Sequence, residues 1–311
     1  MKIVIVGPGA MGCLIAASLA NKTKEEIWLL DKRPDRARLL GENGISVEGI
    51  SGTFHAKVPV SAEPADIGIA DLVIVCTKSY STEEASRTIR ELVGEKTAVL
   101  TLQNGIGNVQ VLAENLGEDK VLGGVTNHGA TLLDTGRVRH AGKGDTIIGR
   151  PNGRINGFMR TVQGILTRAG FETRISKDID SVIWSKLVIN VGINALTAIT
   201  RLNNGRMIEY DGTHELLKSS VSEAVKVAKR KRIKLLYDDP IQKVESVAKA
   251  TALNVSSMLQ DVLNKRRTEI DYINGAIVRQ AKGLGISTPV NDALTYLVKT
   301  IEMTYDKAIF K

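Results

Sequence analysis

KIVIVGPGAMGCLIAASLA, residues 2–20, decides how this chain folds. KIVIV is a short unbroken apolar run, the pattern of a strand buried on both faces in a parallel sheet. GPGAMG follows at 7–12, and CLIAASLA then reads as an apolar helix. A G-x-G-x-x-G spacing alone is weak. Between a strand and a helix, near the start of an alternating α/β pattern, it predicts a dinucleotide-binding loop. Gly7 allows the tight turn, Gly9 lets the backbone approach a pyrophosphate, and Gly12 permits close helix–strand packing. Pro8, Ala10 and Met11 complete the loop, and the free N–H groups of the helix start would face the phosphates.

Working outward, IWLLD (27–31) is a second buried strand, and Asp31 lies 19 residues beyond Gly12. An acid there binds the adenosine ribose hydroxyls of NAD, whereas nearby Lys or Arg favours the 2′-phosphate of NADP. Asp31 is followed at once by Lys32 and Arg33, so the two signals conflict. Further strands are expected at 71–77, 97–103 and 120–128, alternating with helices at 81–92 and 108–116. Residues 45–60 read as a small β excursion, 136–149 as a hairpin, and 154–176 as a closing helix and strand. After 177 strand signals stop, and helices are expected over 178–200, 213–234, 240–251, 257–283 and 290–309. The predicted fold class is α/β: an N-terminal Rossmann domain with a doubly wound parallel sheet (1–176), then an all-α C-terminal domain (177–311).

Composition fits a soluble globular protein, with 43% hydrophobic residues, only 4% aromatic, and a net charge of +8. The densest basic run, KVAKRKRIK (226–234), lacks interleaved aromatics and reads as a solvated helix face, so no nucleic-acid partner is expected. A diffuse positive field suits an anionic cofactor and substrate. The two cysteines, Cys13 and Cys76, form no disulfide framework and, without clustered histidines, no metal site. With no signal peptide ahead of the first strand, a reducing cytoplasm is expected. The longest uncharged run in the second half, residues 187–200, holds two Asn and reads as too short and polar for a membrane span.

SVIWSKLVINVGINALTAIT (181–200) carries Lys186, Asn190 and Asn194 at i, i+4 and i+8, along one face that drifts about 40° per step. A lysine among Trp184, Leu187, Val188 and Ile189 is hard to expose fully, and burial lowers its pKa toward the acid–base range. In the plainer assignment, Lys186 snorkels to solvent and the asparagines bond neighbouring helices. A buried ammonium needs a negative partner, and the candidate is Glu269 in RRTEIDYING (266–275), whose plainer role is an exposed acid beside Arg266 and Arg267. Ser257 opens an S-x-x-Q capping box, so its plain role is a helix N-cap. In one unbroken helix Ser257 and Glu269 would stand about 120° apart.

GPGAMG (7–12), CTKSYS (76–81), LQNGIGN (102–108), WSKLVINVGINALTAI (184–199), LNNG (202–205), SSMLQDV (256–262), RRTEIDYING and GISTPVN (285–291) together resemble the ketopantoate reductase (2-dehydropantoate 2-reductase) family over nearly the whole chain. The resemblance implies an oxidoreductase that reduces 2-dehydropantoate to (R)-pantoate, in pantothenate and coenzyme A biosynthesis, with hydride going to C2. It makes Lys186 the general acid. Asn190, Asn194 and Asn204 would hold the substrate, and Ser257 its carboxylate. Asn104 would touch nicotinamide and substrate, Lys78 would lie near the cofactor, and Glu269 would orient Lys186 or bind the nicotinamide ribose. The loop from His128 to Ala130 would border the nicotinamide. No metal is required. The implied cofactor is NADPH, with NADH left open by Asp31; the partners are a small 2-keto acid and possible self-association as a homodimer, without nucleic acid or membrane. A reductase of another small 2-keto or 3-hydroxy acid would share the fold. A non-catalytic dinucleotide sensor would keep the glycine loop but would not need Lys186 and its companions. The substrate is expected to be closed between the two domains.

Overall fold

In a computed structural model, described over residues 1–307, the chain divides into two compact units. One comprises Met1–Gln103 with Gly107–Ile179, the other Asn104–Ile106 with Asp180 onward.

The first unit begins with β1 (Lys2–Val6), α1 (Ala10–Lys22), β2 (Glu26–Leu30), α2 (Pro34–Asn43), β3 (Ile45–Gly49), β4 (Phe54–Ala56), β5 (Val60–Ser61), α3 (Pro64–Ile67) and β6 (Ala70–Val75). It continues through α4 (Thr82–Thr88), β7 (Val93–Thr101), α5 (Asn108–Leu116), β8 (Val121–Thr126), β9 (Gly129–Asp134), β10 (Arg137–Gly142), β11 (Thr146–Gly149), α6 (Gly157–Arg168) and β12 (Thr173–Ile175). Eight strands form one sheet in the order β12-β11-β8-β7-β6-β1-β2-β5. The run β5-β2-β1-β6-β7-β8 is parallel throughout, and β1 is central, so Ile3, Val4 and Ile5 are fully buried on both faces. This is the doubly wound order, whose ligand crevice lies beyond the carboxyl ends of the central strands.

The β excursion after α2 builds a second, four-stranded sheet, β4-β3-β10-β9. Between the two sheets lies α1, with Cys13, Leu14, Ala16, Ala17 and Leu19 fully buried; this is why its sequence is apolar all round. The expected hairpin over 136–149 does not form. β10 pairs with β9 across the 135–136 turn, whereas β11 joins the large sheet between β8 and β12. The inward residues Val138 and His140 alternate with exposed Arg137 and Arg139, which commits β10 to a half-buried sheet.

The second unit is helical: α7 (Ile179–Thr200), α8 (Asp211–Arg230), α9 (Pro240–Ala250), α10 (Ser257–Leu263), α11 (Asn274–Lys282) and α12 (Pro289–Met303). α7 is its core, with Leu187, Val188, Val191, Ala195 and Ala198 at 1% exposure or less. By length and composition alone this 22-residue helix, with an 18-residue window of mean hydropathy 1.6, passes for a membrane span where its uncharged run 187–200 by itself reads as too short and polar, yet 72% of that window is buried in the fold. The single helix expected over 257–283 is broken. α10 ends at Leu263, Lys265 adopts φ +51, and a 3-10 turn at Ile270–Tyr272 precedes α11. A polar core ties these helices together. Glu223 of α8 accepts from the Val290 and Asn291 N–H groups at 2.9 Å and from Asn291 Nδ2 at 2.7 Å. Asn274 Nδ2 donates to Asn291 Oδ1 at 3.0 Å and to the Val191 carbonyl of α7 at 3.2 Å.

Candidate active site

In the first unit the glycine loop joins β1 to α1. Gly7 has φ +90, and a side chain there would come within 2.7 Å of Thr77. A Cβ on Gly12 would lie 2.2 Å from the Gly7 carbonyl oxygen. Gly9 differs, because a Cβ there would meet nothing within 4 Å. Internal packing therefore demands Gly7 and Gly12, and the protein leaves clear space above Gly9. Gly9 is the N-cap of α1, with no side-chain cap and no acid in the first turn, so Pro8, Ala10 and Met11 flank a helix start open to an anion. These residues fit a dinucleotide pyrophosphate.

The Gly7 N–H donates to the Leu30 carbonyl at 3.0 Å, which brings the end of β2 beside the loop. Asp31, next in sequence, is only 1% exposed. Its carboxylate accepts from Arg36 Nε, from Arg36 Nη2 at 2.8 Å and from the Arg33 backbone N–H at 3.2 Å. Lys32 is exposed and paired with Glu84 at 2.7 Å. Arg36 was not singled out in the sequence; its signal is the basic residue in the first turn of a Pro-initiated helix, one turn beyond the acid.

Lys78 follows β6, half-buried, on a segment tied to the end of β7. Gln103 Nε2 donates to the Thr77 carbonyl at 3.0 Å and to the Thr82 hydroxyl at 2.8 Å. His128 follows β8 and Ala130 lies in β9. His128 and His140 are both buried, with Nδ1 of the first 2.9 Å from Nε2 of the second, and Ser51 Oγ closes onto His140 Nδ1. Burial lowers the pKa of both imidazoles, that of His128 to about 4 with help from the neighbouring His140.

In the second unit, α7 presents Lys186, Asn190 and Asn194 on successive turns. Removal of Lys186 from water lowers its pKa to about 8, and the charge of Glu269 opposes the shift. Glu269 is 5% exposed and accepts from Asn104 Nδ2 at 3.4 Å. Asn104 arrives from the first half of the sequence on a three-residue graft. Gly105 has φ +78 and packs where a Cβ would sit 2.3 Å from the Tyr272 carbonyl oxygen, which also accepts from the Ile106 N–H at 3.2 Å. Lys186, Glu269 and Asn104 therefore belong to one compact unit although 165 residues separate Asn104 from Glu269.

Asn204 is buried, and its Nδ2 donates to Thr251 Oγ1 at 3.0 Å. Its buried Oδ1 has no hydrogen-bond partner among the described residues, an acceptor suited to a ligand hydroxyl. The capping assignment for Ser257 is corrected: the N-cap of α10 is Ser256, whose Oγ accepts from the Leu259 N–H at 3.1 Å and lies 2.7 Å from Thr197 Oγ1 of α7. Either adjacent serine could cap, and the bond to α7 selects Ser256. Ser257 is thereby left exposed at the helix start. Among the described residues no cluster of His, Cys, Asp and Glu could hold a metal ion.

The family model for ketopantoate reductase PanE/ApbA matches residues 3–153, and the model for its C-terminal part matches residues 178–302. The chain is 37% identical over 301 residues to 2-dehydropantoate 2-reductase of Halobacterium salinarum, covering 96% of this chain and 98% of that one. Among solved structures, a PanE/ApbA family ketopantoate reductase from Ralstonia eutropha superposes with a TM-score of 0.90 at 32% identity, over 98% of this chain and 100% of that one. A D-mandelate dehydrogenase, solved with NADH and anilino(oxo)acetate, gives 0.92 at 30% identity, over 98% and 99%.

Proposed function

Because the chain belongs to the ketopantoate reductase family, we propose that it reduces 2-dehydropantoate at C2 to (R)-pantoate, with NADPH as cofactor and Lys186 as general acid. The product is the pantoate consumed in pantothenate and coenzyme A synthesis. A bound nicotinamide supplies the hydride, and the residues of this chain bind, orient and protonate.

Hydride addition turns the C2 carbonyl into an alkoxide, so a cation beside that oxygen both stabilises the developing charge and delivers the proton. The observation that carries this reading is Lys186, a core-helix lysine with a pKa near 8, within electrostatic reach of Glu269 and on the same helix as two asparagines. An acid of that pKa is protonated at neutral pH and still gives up its proton readily. Glu269 keeps the ammonium charged, and Asn104 holds Glu269. Asn190, Asn194 and the unsatisfied Asn204 Oδ1 offer groups for the keto acid and its hydroxyl, and Ser257, released from capping, offers its hydroxyl to the carboxylate. The loop around Gly9 takes the pyrophosphate, with Lys78 and Ala130 as cofactor contacts. Two unpaired cysteines, with thiols pushed up to about 12 by burial, suit a reducing cytoplasm.

Likeness to D-mandelate dehydrogenase supports a second reading, reduction of a bulkier 2-keto acid. The test is oxidation of NADPH or NADH with ketopantoate and a size series of 2-keto acids, wild type against Lys186→Ala. The variant is expected to bind cofactor and lose most turnover; equal rates would refute the role of Lys186. A bulkier acid outperforming ketopantoate would favour the second reading.

A further inference from the structure

The geometry points to Arg36, rather than Lys32 or Arg33, as the residue that sets cofactor choice: by neutralising Asp31 it makes the end of β2 a site for the 2′-phosphate of NADPH. This rests on the nicotinamide dependence proposed above and deepens it.

An acid at the end of β2 selects NAD by accepting hydrogen bonds from the ribose hydroxyls and by repelling a 2′-phosphate. Asp31 is poorly placed for either. It is 1% exposed, and its carboxylate already accepts from both Nε and Nη2 of Arg36 and from the Arg33 backbone N–H. A fork of this kind, with a planar guanidinium on a carboxylate, is among the strongest side-chain pairings and leaves no net charge. The pair also lies where the cofactor must pass. The Leu30 carbonyl, one residue before Asp31, holds the Gly7 N–H of the phosphate loop, and both Asp31 and Arg36 are felt electrostatically at Cys13 in the first turn of α1.

Arg36 has donors to spare. Two of its N–H groups face Asp31, and the side chain remains 26% exposed, so the other guanidinium N–H groups can serve a phosphate. The two neighbouring cations are weaker candidates. Lys32 is 60% exposed with its charge offset by Glu84, and an exposed pair of that type holds little geometry. The Arg33 backbone is committed to Asp31, and its side chain is exposed. The acid that reads as an NAD signature is therefore the anchor of an NADP-binding arginine.

The test uses the full-length protein, with dissociation constants for NADPH and NADH from nicotinamide fluorescence and kcat/KM for each in the reductase assay. Arg36→Gln is expected to weaken NADPH by about tenfold or more, the effect of one charge-assisted bond, and to shift the NADPH/NADH ratio toward NADH as Asp31 is uncovered. Asp31→Asn, whose amide oxygen still accepts from Arg36, is expected to keep NADPH binding. The double variant Asp31→Asn/Arg36→Gln, which buries no lone charge and so guards against loss of folding, is expected to lose NADPH without gaining NADH. Lys32→Ala and Arg33→Ala should move the ratio less than Arg36→Gln does. The inference is overturned if Arg36→Gln and the double variant leave the ratio unchanged, if either neighbour outweighs Arg36, or if Asp31→Asn abolishes NADH binding in the wild-type background. The binding arm separates the two readings: variants that shift the dinucleotide ratio in a protein that does not turn over ketopantoate would sink the substrate assignment and uphold this one.

Discussion

Replacing both Lys186 and Glu269 by uncharged side chains of similar shape, Lys186→Met/Glu269→Gln, should yield a protein that is more stable and nearly inactive. The pKa of Lys186 falls from an ordinary lysine value to about 8. A depression of that size means that holding the charged lysine in the fold costs about 3 kcal/mol at neutral pH relative to the unfolded chain. Lys186→Met alone does not recover this energy, because it strands Glu269 at 5% exposure without its counter-charge. Removing both charges recovers much of it, and the expected gain is about 1–3 kcal/mol, within the range seen when buried ion pairs are replaced by uncharged residues. The sign fixes the pH dependence. Between about pH 8 and the unfolded lysine pKa the folded protein releases its proton first, so wild-type stability rises with pH there, and the advantage of the double variant shrinks. Urea unfolding at neutral and alkaline pH reads the stability, and kcat/KM for ketopantoate should fall by roughly 10²–10⁴ with loss of the general acid. The wild-type rate should decline above about pH 8. A double variant less stable than wild type at neutral pH, or a wild-type rate indifferent to pH through that range, would refute the reasoning.

Glu269→Gln alone removes the charge that raises the Lys186 pKa, so the alkaline limb of the pH–rate profile should move to lower pH, with kcat reduced at every pH. His128 is buried in its neutral form with a pKa near 4, so stability present above the ordinary histidine pKa should be lost as pH falls through the window between the two values, by up to about 3 kcal/mol. Urea midpoints against pH should show that slope, and His128→Phe should flatten it. Asn291→Ala strips Glu223 and Asn274 of partners in the polar core and should destabilise the helical unit by about 2–3 kcal/mol in urea unfolding, with amide exchange accelerating first around α11 and α12.

What the sequence disclosed was local. The glycine loop, the apolar strands beside it and the polar face of α7 are each written within a dozen or so residues, and their periods survive into the structure. What it withheld depends on partners far along the chain. Only Ser257 has a glutamine three residues on, as the S-x-x-Q pattern asks, yet Ser256 is the cap, and its hydroxyl also meets Thr197, 59 residues away. The linker 143–145 reads as a hairpin turn, yet β10 and β11 belong to different sheets because β3 and β9 occupy both edges of β10. The helix expected over 257–283 breaks at Lys265, whose φ is +51, and Glu269 then precedes a 3-10 turn at 5% exposure, a placement no helical period encodes.

The short graft Asn104–Ile106 shows how chemistry constrains topology in this chain. Asn104 follows the carboxyl end of β7, the edge at which ligands gather in a doubly wound sheet, and the family resemblance implies that it touches both nicotinamide and substrate. Its backbone nevertheless docks on Tyr272, through a glycine whose missing Cβ allows a 2.3 Å approach, and its side chain meets Glu269. A loop segment held in this way pays the conformational cost of ordering once, during folding, and not in each catalytic cycle. Asn104 and Glu269 are thereby set by the same helical unit that carries Lys186, and in the proposed mechanism that prior ordering is what lets the ammonium favour the alkoxide over the ketone.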